Sequence, residues 1–327
     1  MHRLHQLFPE LRETLPALWL GSPPSPLRIL SGVKVGDREV WVKDDGAYGD
    51  GGWGGNKVRK LEWLIPEARR RGRETVVTVG GLATNWGLAC ALYGREHGLS
   101  TVLALVDQPR DRHVEDQLER LRDSGAELHF TGSSARTVLV VPWLITRHRR
   151  SWFLPAGGSS PVGALGAVES ALELAAQVES GEMDVPSWIV TAVGSGGTAA
   201  GLILGLRLAG LDTEVLAVVV NDKLRLDSRA LLRLARKSAK LLGARGADLP
   251  ELDLGGDNLT VVEDQLGAGY GHRTKAATKA ARAVSRKDGL ELDSVYTAKA
   301  MAGLLALGVE DLGEGPIVFL NTNGPRP

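Results

Sequence analysis

The sequence predicts an α/β fold with two domains, each an open, mostly parallel sheet flanked by helices. Three observations carry this. Apolar, β-branched runs alternate with segments of helical period from residue 75 to residue 320. The 327 residues are enough to bury two cores. A glycine turn also follows one apolar run and leads straight into a helix, as the connections of a parallel sheet do. In chain order, 75–79 reads as strand, 85–97 as helix, 101–106 as strand, 112–124 as helix and 127–130 as strand. After an irregular stretch over 131–158 come a helix at 162–178, a strand at 188–193 and a helix at 199–209. Segments 214–220, 226–242, 274–287, 297–307 and 317–320 continue the alternation. Pro66 is expected to kink or end the first helix, because proline cannot donate a backbone hydrogen bond. The segment 21–26 is a rigid proline-rich arm, and 46–55 reads as the loosest stretch.

Two segments carry chemistry. In Gly54-Gly55-Asn56-Lys57-Val58-Arg59-Lys60, glycines run into a helix and Lys57 stands in its first turn. That end of a helix carries partial positive charge, which disfavours a protonated amine and suits a nucleophile that must lose its proton. A lone lysine after a glycine loop is more often a solvated surface group. In the second segment, the apolar run 188–193 is followed by Gly194, Ser195, Gly196, Gly197 and Thr198, and then by a helix rich in small residues. Strand, glycine turn and helix start form a cradle for an anion. Ser195 and Thr198 add hydroxyl donors. The turn lacks the Lys-Ser/Thr ending of a P-loop and the spacing of a dinucleotide fingerprint. Alone, such a turn is as often a plain strand-to-helix connection as a phosphate site. Together, the lysine and the turn suit a cofactor with both an aldehyde and a phosphate, namely pyridoxal 5′-phosphate (PLP).

The segment from Gly54 to Glu62 resembles the Schiff-base lysine motif of the 1-aminocyclopropane-1-carboxylate (ACC) deaminase / D-cysteine desulfhydrase family. That family belongs to the fold type II, tryptophan synthase β-like PLP enzymes. Further segments match in order: Leu20 to Leu27, Lys43-Asp44-Asp45, Pro155 to Ser159 with Gly163 to Gly166, Gly269-Tyr270-Gly271, Val295-Tyr296-Thr297-Ala298-Lys299-Ala300, and Leu320 to Gly324. The resemblance implies a smaller domain, 60–158, inserted into a larger one formed by 1–59 and 159–327, with the ligand in the cleft between them. It implies Lys57 as the anchoring residue and base, Gly194 to Thr198 with Thr322 around the cofactor, and Asn85 at the ring hydroxyl. It implies Thr84, Tyr270 and Tyr296 as catalytic groups. Trp86, Gly158, Ser159 and Thr297 are expected around the substrate. A homodimer is implied as well.

Composition narrows the class. The net charge is zero, with 39 basic and 39 acidic residues, which argues against nucleic acid as a partner. The basic clusters at 69–73 and 147–150 read as solvated helix ends. Cys90 is the one cysteine, set in an apolar segment, and reads as core. No disulfide, leader peptide or run of roughly 20 apolar residues is recognised, so a cytoplasmic protein without membrane contact is expected. No metal site is expected.

Two positions bear on the reaction. Deaminases of the family carry Glu after the second tyrosine and Leu in the last glycine motif; desulfhydrases carry small polar residues at both. Here they are Thr297 and Thr322. A carboxylate would keep the pyridine nitrogen protonated, whereas a threonine hydroxyl only shares a hydrogen bond. This favours α,β-elimination on a small, D-cysteine-like amino acid, giving a 2-oxo acid and ammonia. The alternatives are ring-opening deamination, β-replacement or racemisation, and a PLP-binding protein without turnover. The chain also departs from the family pattern. Thr84-Asn85-Trp86 stands where Ser-Asn-His or Ser-Asn-Gln is usual, Asn321-Thr322-Asn323-Gly324 where His-Thr-Gly-Gly is usual, and the loop 45–55 gains Tyr48 and Trp53. These changes point to retained cofactor chemistry with an altered substrate.

Overall fold

The structure, a computed structural model, describes residues 1–50, 54–307 and 313–324. Gly51, Gly52 and Trp53 of the lysine loop lie outside the described residues. Two short helices, α1 (Arg3–Leu7) and α2 (Leu11–Thr14), precede a hairpin of β1 (Leu27–Val35) and β2 (Arg38–Asp44). Next come α3 (Asn56–Arg70), β3 (Thr75–Gly81), α4 (Asn85–Glu96), β4 (Ser100–Val106), α5 (Arg112–Asp123), β5 (Glu127–Gly132), α6 (Ser134–Arg147) and β6 (Ser151–Leu154). The chain continues through α7 (Pro161–Glu179), β7 (Trp188–Val193), α8 (Gly197–Leu208), β8 (Glu214–Val219), α9 (Ser228–Ala244) and β9 (Leu259–Val262). It closes with α10 (Lys275–Asp288), α11 (Thr297–Ala306) and β10 (Ile317–Asn321).

Two sheets result. One has the order β5-β4-β3-β6 and is parallel throughout. The other has the order β1-β2-β10-β7-β8-β9 and is parallel except for the β1–β2 edge pair. Parallel strands need helical crossovers, which cover both faces, so the central strands read as continuous apolar runs. β7 and β8 do so, with Ile189, Val190, Val215, Leu216, Ala217 and Val218 fully buried. All four strands of the smaller sheet fall within 75–154, and residue 60, the expected start of the smaller domain, lies inside α3.

The structure corrects three expectations. The stretch 131–158 is not irregular: Ser133 caps α6, its hydroxyl accepting from the Arg136 N–H, and β6 pairs with β3. Its β-branched run and Pro142 disguise a helix. Pro66 does not end α3. The proline leaves the Glu62 carbonyl without its helical donor, and the Leu18 N–H fills that place at 3.0 Å. Nor is the start of the 46–55 loop slack. Residues 45–47 form a single 3₁₀ turn, and Tyr48 is buried with its hydroxyl donating to Glu62 at 2.8 Å. The Arg59 guanidinium lies 3.9 Å from the Tyr48 ring centre. Cys90 is buried, as its apolar setting suggests.

A buried ionic cluster fixes α3. Lys43 donates to Glu173 at 2.6 Å, and Arg59 reaches both Glu173 and Asp45 at 2.9 Å. Burial works against the Glu173 carboxylate, but Arg59 and Lys43 outweigh it and hold its pKa down at about 2. Burial dominates at the Lys43 ammonium and lowers its pKa, although Glu173 opposes the shift. At 2.6 Å the contact is that of an ion pair.

Candidate active site

The carboxyl ends of both sheets face one cavity of about 710 Å³. Gly80 and Gly81 end β3 there, Val106 ends β4, and Ala156 and Gly157 follow β6. From the larger sheet come Gly194, Ser195 and Gly196 after β7, Asn221 after β8, and Thr322 after β10.

Lys57 stands in the first turn of α3 at the cavity wall, half-buried. Its N-cap Gly55 has φ 105°, and a Cβ there would lie 2.8 Å from the Thr322 carbonyl oxygen, so only glycine lets the chain enter the helix this way. Desolvation lowers the Lys57 pKa to about 8, while the nearby Asp293 works the other way. Burial is the cause of the lowering. Lys57 donates to Asn56 Oδ1 at 2.8 Å, and Asn56 Nδ2 donates to Thr198 Oγ1 at 2.7 Å. The lysine and the glycine turn are thus two hydrogen bonds apart, and the Thr198 O–H is left to donate elsewhere.

The turn itself is braced from below. The Gly197 N–H donates to Ser159 Oγ at 3.0 Å, and Ser159 donates to Ser195 Oγ at 2.9 Å, which leaves the Ser195 O–H as a donor. Gly157 (φ 65°) makes this approach possible, because a Cβ there would sit 2.1 Å from Ser195 Oγ. Gly197 and Ser159 therefore lie behind the cavity wall and orient Ser195, instead of facing a ligand as expected. Gly158 also sits behind the wall, packed on Trp86: a Cβ on it would lie 2.5 Å from the indole ring. Trp86 lines the cavity but is 2 % exposed, with its Nε1–H donating to Thr78 Oγ1 at 2.8 Å.

Thr84 and Asn85 line the opposite wall at the start of α4. Thr84 Oγ1 caps the helix by accepting from the Gly87 N–H at 3.1 Å. Gln117 donates to Asn85 Oδ1 at 3.0 Å, which fixes which way the amide faces. Tyr270 and Tyr296 complete the wall with their hydroxyls 2.5 Å apart. Burial raises both phenols above their usual pKa, so both keep their protons at neutral pH.

Thr297 is the clearest departure from expectation. It is fully buried, outside the cavity, with its hydroxyl donating to Asp293 at 2.7 Å. The residue that reaches the cavity is Asp293, which sequence reasoning missed. Its carboxylate accepts the N–H groups of Val295, Tyr296 and Thr297, and it is the carboxylate acting on Lys57. An aspartate a few residues ahead of a helix start was a readable capping signal. Lys60 was missed as well. It lies one turn after Lys57, so helical spacing sets both on one face. Lys60 is buried, donates to the Gly157 carbonyl at 3.0 Å, and sits where a Cβ on Gly197 would be 2.9 Å from its Nζ. Burial, with Lys57 nearby, pushes its pKa well down. Lys60 does not line the cavity: with Ser159 it belongs to the layer behind the glycine turn, where it holds the Gly157 carbonyl.

Sequence comparison decides which group this arrangement serves. Residues 18–323 match the family described as pyridoxal-phosphate dependent enzymes. The chain belongs to that family. Its cofactor is PLP. The chain is 34% identical over 323 residues to a D-cysteine desulfhydrase of Salmonella paratyphi A, covering 94% of each protein. It superposes on the crystal structure of an ACC deaminase homologue with a TM-score of 0.80 and 29% identity, over 98% of this chain and 95% of the other. A T.th. threonine deaminase shares the fold, with a TM-score of 0.67 at 17% identity, over 99% and 98% of the two chains. The fold is thus that of the fold type II PLP enzymes. Its cavity fits the cofactor: an amine of lowered pKa stands two hydrogen bonds from a glycine turn whose Ser195 and Thr198 hydroxyls line the cavity as donors.

Proposed function

We propose that this PLP enzyme is a lyase that carries out α,β-elimination on a small, D-cysteine-like amino acid, releasing a 2-oxo acid and ammonia. The observation that carries this reading is the site itself. Lys57, the Tyr270–Tyr296 hydroxyl pair and the glycine turn share one cavity, in a chain 34% identical along 94% of its length to a D-cysteine desulfhydrase. The chemistry the cofactor supplies when bound is a sink for the electron pair left at the substrate Cα.

The protein's own residues do the rest. Lys57 holds the cofactor and takes the Cα proton, a role its lowered pKa suits. Ser195 and Thr198 hold the phosphate, with the backbone N–H groups of Thr198 and Ala199 in the first turn of α8. Asn85 meets the ring hydroxyl. Thr322, which follows β10 and lines the cavity, would share a hydrogen bond with the ring nitrogen, and a neutral hydroxyl there favours elimination. Tyr296, kept protonated by burial and shared with Tyr270, donates a proton to the departing sulfur. Thr84 and Trp86 shape the substrate side. Ring opening is the second reading, favoured by the 29% identity to the ACC deaminase homologue. Thr297 no longer argues against it directly, because its hydroxyl is engaged by Asp293, so the preference for elimination rests on Thr322 and on the desulfhydrase similarity.

We read 60–158 as a smaller domain inserted between 1–59 and 159–327, and the working form as a cytoplasmic homodimer. No described helix is long and apolar enough to cross a membrane. The test is direct. The purified protein should absorb in the visible when loaded with cofactor, and Lys57→Ala should lose that band. D-Cysteine should yield pyruvate, ammonia and sulfide. A loaded enzyme that releases no sulfide from D-cysteine but opens ACC would replace elimination with the second reading.

A further inference from the structure

The motif at 295–300 contains one charged residue that takes no part in the site described above. Lys299 lies on α11, three residues after Tyr296, and is fully buried. Its ammonium donates to the Leu266 carbonyl at 2.8 Å and reaches the Gly269 carbonyl at 3.4 Å. Both carbonyls belong to the segment 263–274 between β9 and α10, which has no helix or strand of its own and carries Tyr270. Burying an ammonium is costly unless its protons find acceptors, and here the backbone of one segment supplies them.

A second tie reaches the same segment from the larger sheet. Asp222, just after β8, accepts the Tyr270 N–H at 3.1 Å. Gly269, at φ 117°, keeps a side chain away from that carboxylate, since a Cβ there would lie 3.1 Å from Asp222 Oδ2. The neighbouring Asn221 donates to the Gly194 carbonyl at 2.7 Å, so two consecutive residues hold the glycine turn and the tyrosine segment. Around Tyr270 the segment's own bonds are long, 3.4 Å from the Gly269 N–H to the Leu266 carbonyl and 3.3 Å from the His272 N–H to the Gly269 carbonyl. The place of Tyr270 is therefore set from outside, by Lys299 and Asp222. That placement brings its hydroxyl to 2.5 Å from the hydroxyl of Tyr296.

We propose that Lys299 and Asp222 are positioning residues for the acid of the site. They hold Tyr270 so that its O–H donates to Tyr296 as that phenol gives up its proton. The proton passes from Tyr296 to the departing sulfur, and the hydrogen bond from Tyr270 stabilises the phenolate left behind. Helix α11 thus carries Tyr296 itself and, through Lys299 one turn on, the support of its partner. This rests on the reading of Tyr296 as the acid and adds the residues that keep its partner in place.

The experiment compares kcat for pyruvate release from D-cysteine by four holoenzymes: wild type, Lys299→Met, Tyr270→Phe and the double variant. Lys299→Met should lower kcat by about 10–100-fold, the scale of a misplacement near 1 Å, with the absorption of the bound cofactor unchanged. In the Tyr270→Phe background it should cost less than about threefold, because the group it positions is gone. Asp222→Ala, should the lysine variant fold poorly, is expected to repeat this pattern. Losses that multiply, or a Lys299→Met enzyme as fast as wild type, overturn the inference. A crystal structure of Lys299→Met reads the geometry without turnover. Its two hydroxyls should part beyond hydrogen-bond distance, and a pair still 2.5 Å apart overturns the inference as well. A wild type that leaves D-cysteine intact sinks the elimination reading alone, and the hydroxyl separation then decides the roles of Lys299 and Asp222.

Discussion

At the scale of single residues, the site turns on what surrounds one amine. Desolvation brings the Lys57 pKa to about 8, and Asp293 holds it from falling further. Below that pH most of the amine is protonated and cannot attack an aldehyde. The rate at which apoprotein captures PLP should therefore rise about tenfold per pH unit up to about pH 8 and then level off. Asp293→Asn keeps an oxygen for the N–H groups of residues 295–297 but removes the negative charge. Its plateau should begin at lower pH, because the opposing influence is gone. Stopped-flow absorbance on mixing apoprotein with cofactor measures both curves, and an unshifted midpoint in the variant would remove Asp293 from the electrostatics of the site.

The residue scale is also where sequence reading succeeded and failed most sharply. Lys57, Thr198, Tyr270 and Tyr296 could be picked out because each sits in a motif whose neighbours define it, and the structure brings all four to one cavity. Thr297, Ser159 and Gly197 lie in equally clear motifs, yet their side chains or N–H groups serve neighbouring residues of the protein. A motif records that a position matters; it does not say whether the atoms face the ligand or the layer behind it. Asp293 and Lys60 show the converse. A capping pattern and a helical spacing were there to read, but what makes the two residues matter is what the fold sets beside them.

At the scale of elements, α3 is the part whose placement everything else presumes. Its apolar positions Val58, Leu61, Ile65 and Ala68 recur at helical spacing and are buried. Its Arg59 is tied to Asp45 and Glu173. Glu173→Ala would leave Lys43 and Arg59 buried without that carboxylate and should cost about 3–5 kcal/mol. The pH dependence follows from the direction of the shift. The folded carboxyl has a pKa of about 2, below its ordinary 4.5, so its contribution is complete above pH ~4.5 and is lost as the pH falls from there towards 2. Urea unfolding of wild type and variant at pH 7 and pH 3.5 checks this, and the gap between them should narrow at the lower pH. The elements themselves were largely legible from their apolar period. The exceptions were α6, broken in sequence by Pro142, the antiparallel β1–β2 edge, which interrupts an otherwise parallel pattern, and the short elements α1, α2, β6 and β9, too brief to show a period.

At the scale of the molecule, both sheets contribute to one site, so the cofactor should bind the folded chain and not the unfolded one. At a hundredfold excess over Kd that linkage stabilises by about 2.7 kcal/mol. For a chain of this size the melting temperature should rise by about 4 °C. Scanning calorimetry of apo and loaded protein tests this, and Lys57→Ala should lose most of the increase. The two-sheet architecture was readable because parallel sheets force strand and helix to alternate. The cavity's volume was not readable, because it depends on how far apart the two sets of strand ends stand.

Trp86 gives the molecule a built-in optical gauge. Its indole is shielded from solvent, anchored by its N–H and pressed against Gly158 at the edge of the cavity. A fluorophore held so near a coloured ring passes its excitation to it, so loading should dim ultraviolet-excited emission in step with cofactor uptake. Trp86→Phe should remove much of that dimming while the other seven tryptophans go on emitting. Titration in a fluorimeter, with no label attached, would then read how full the enzyme is.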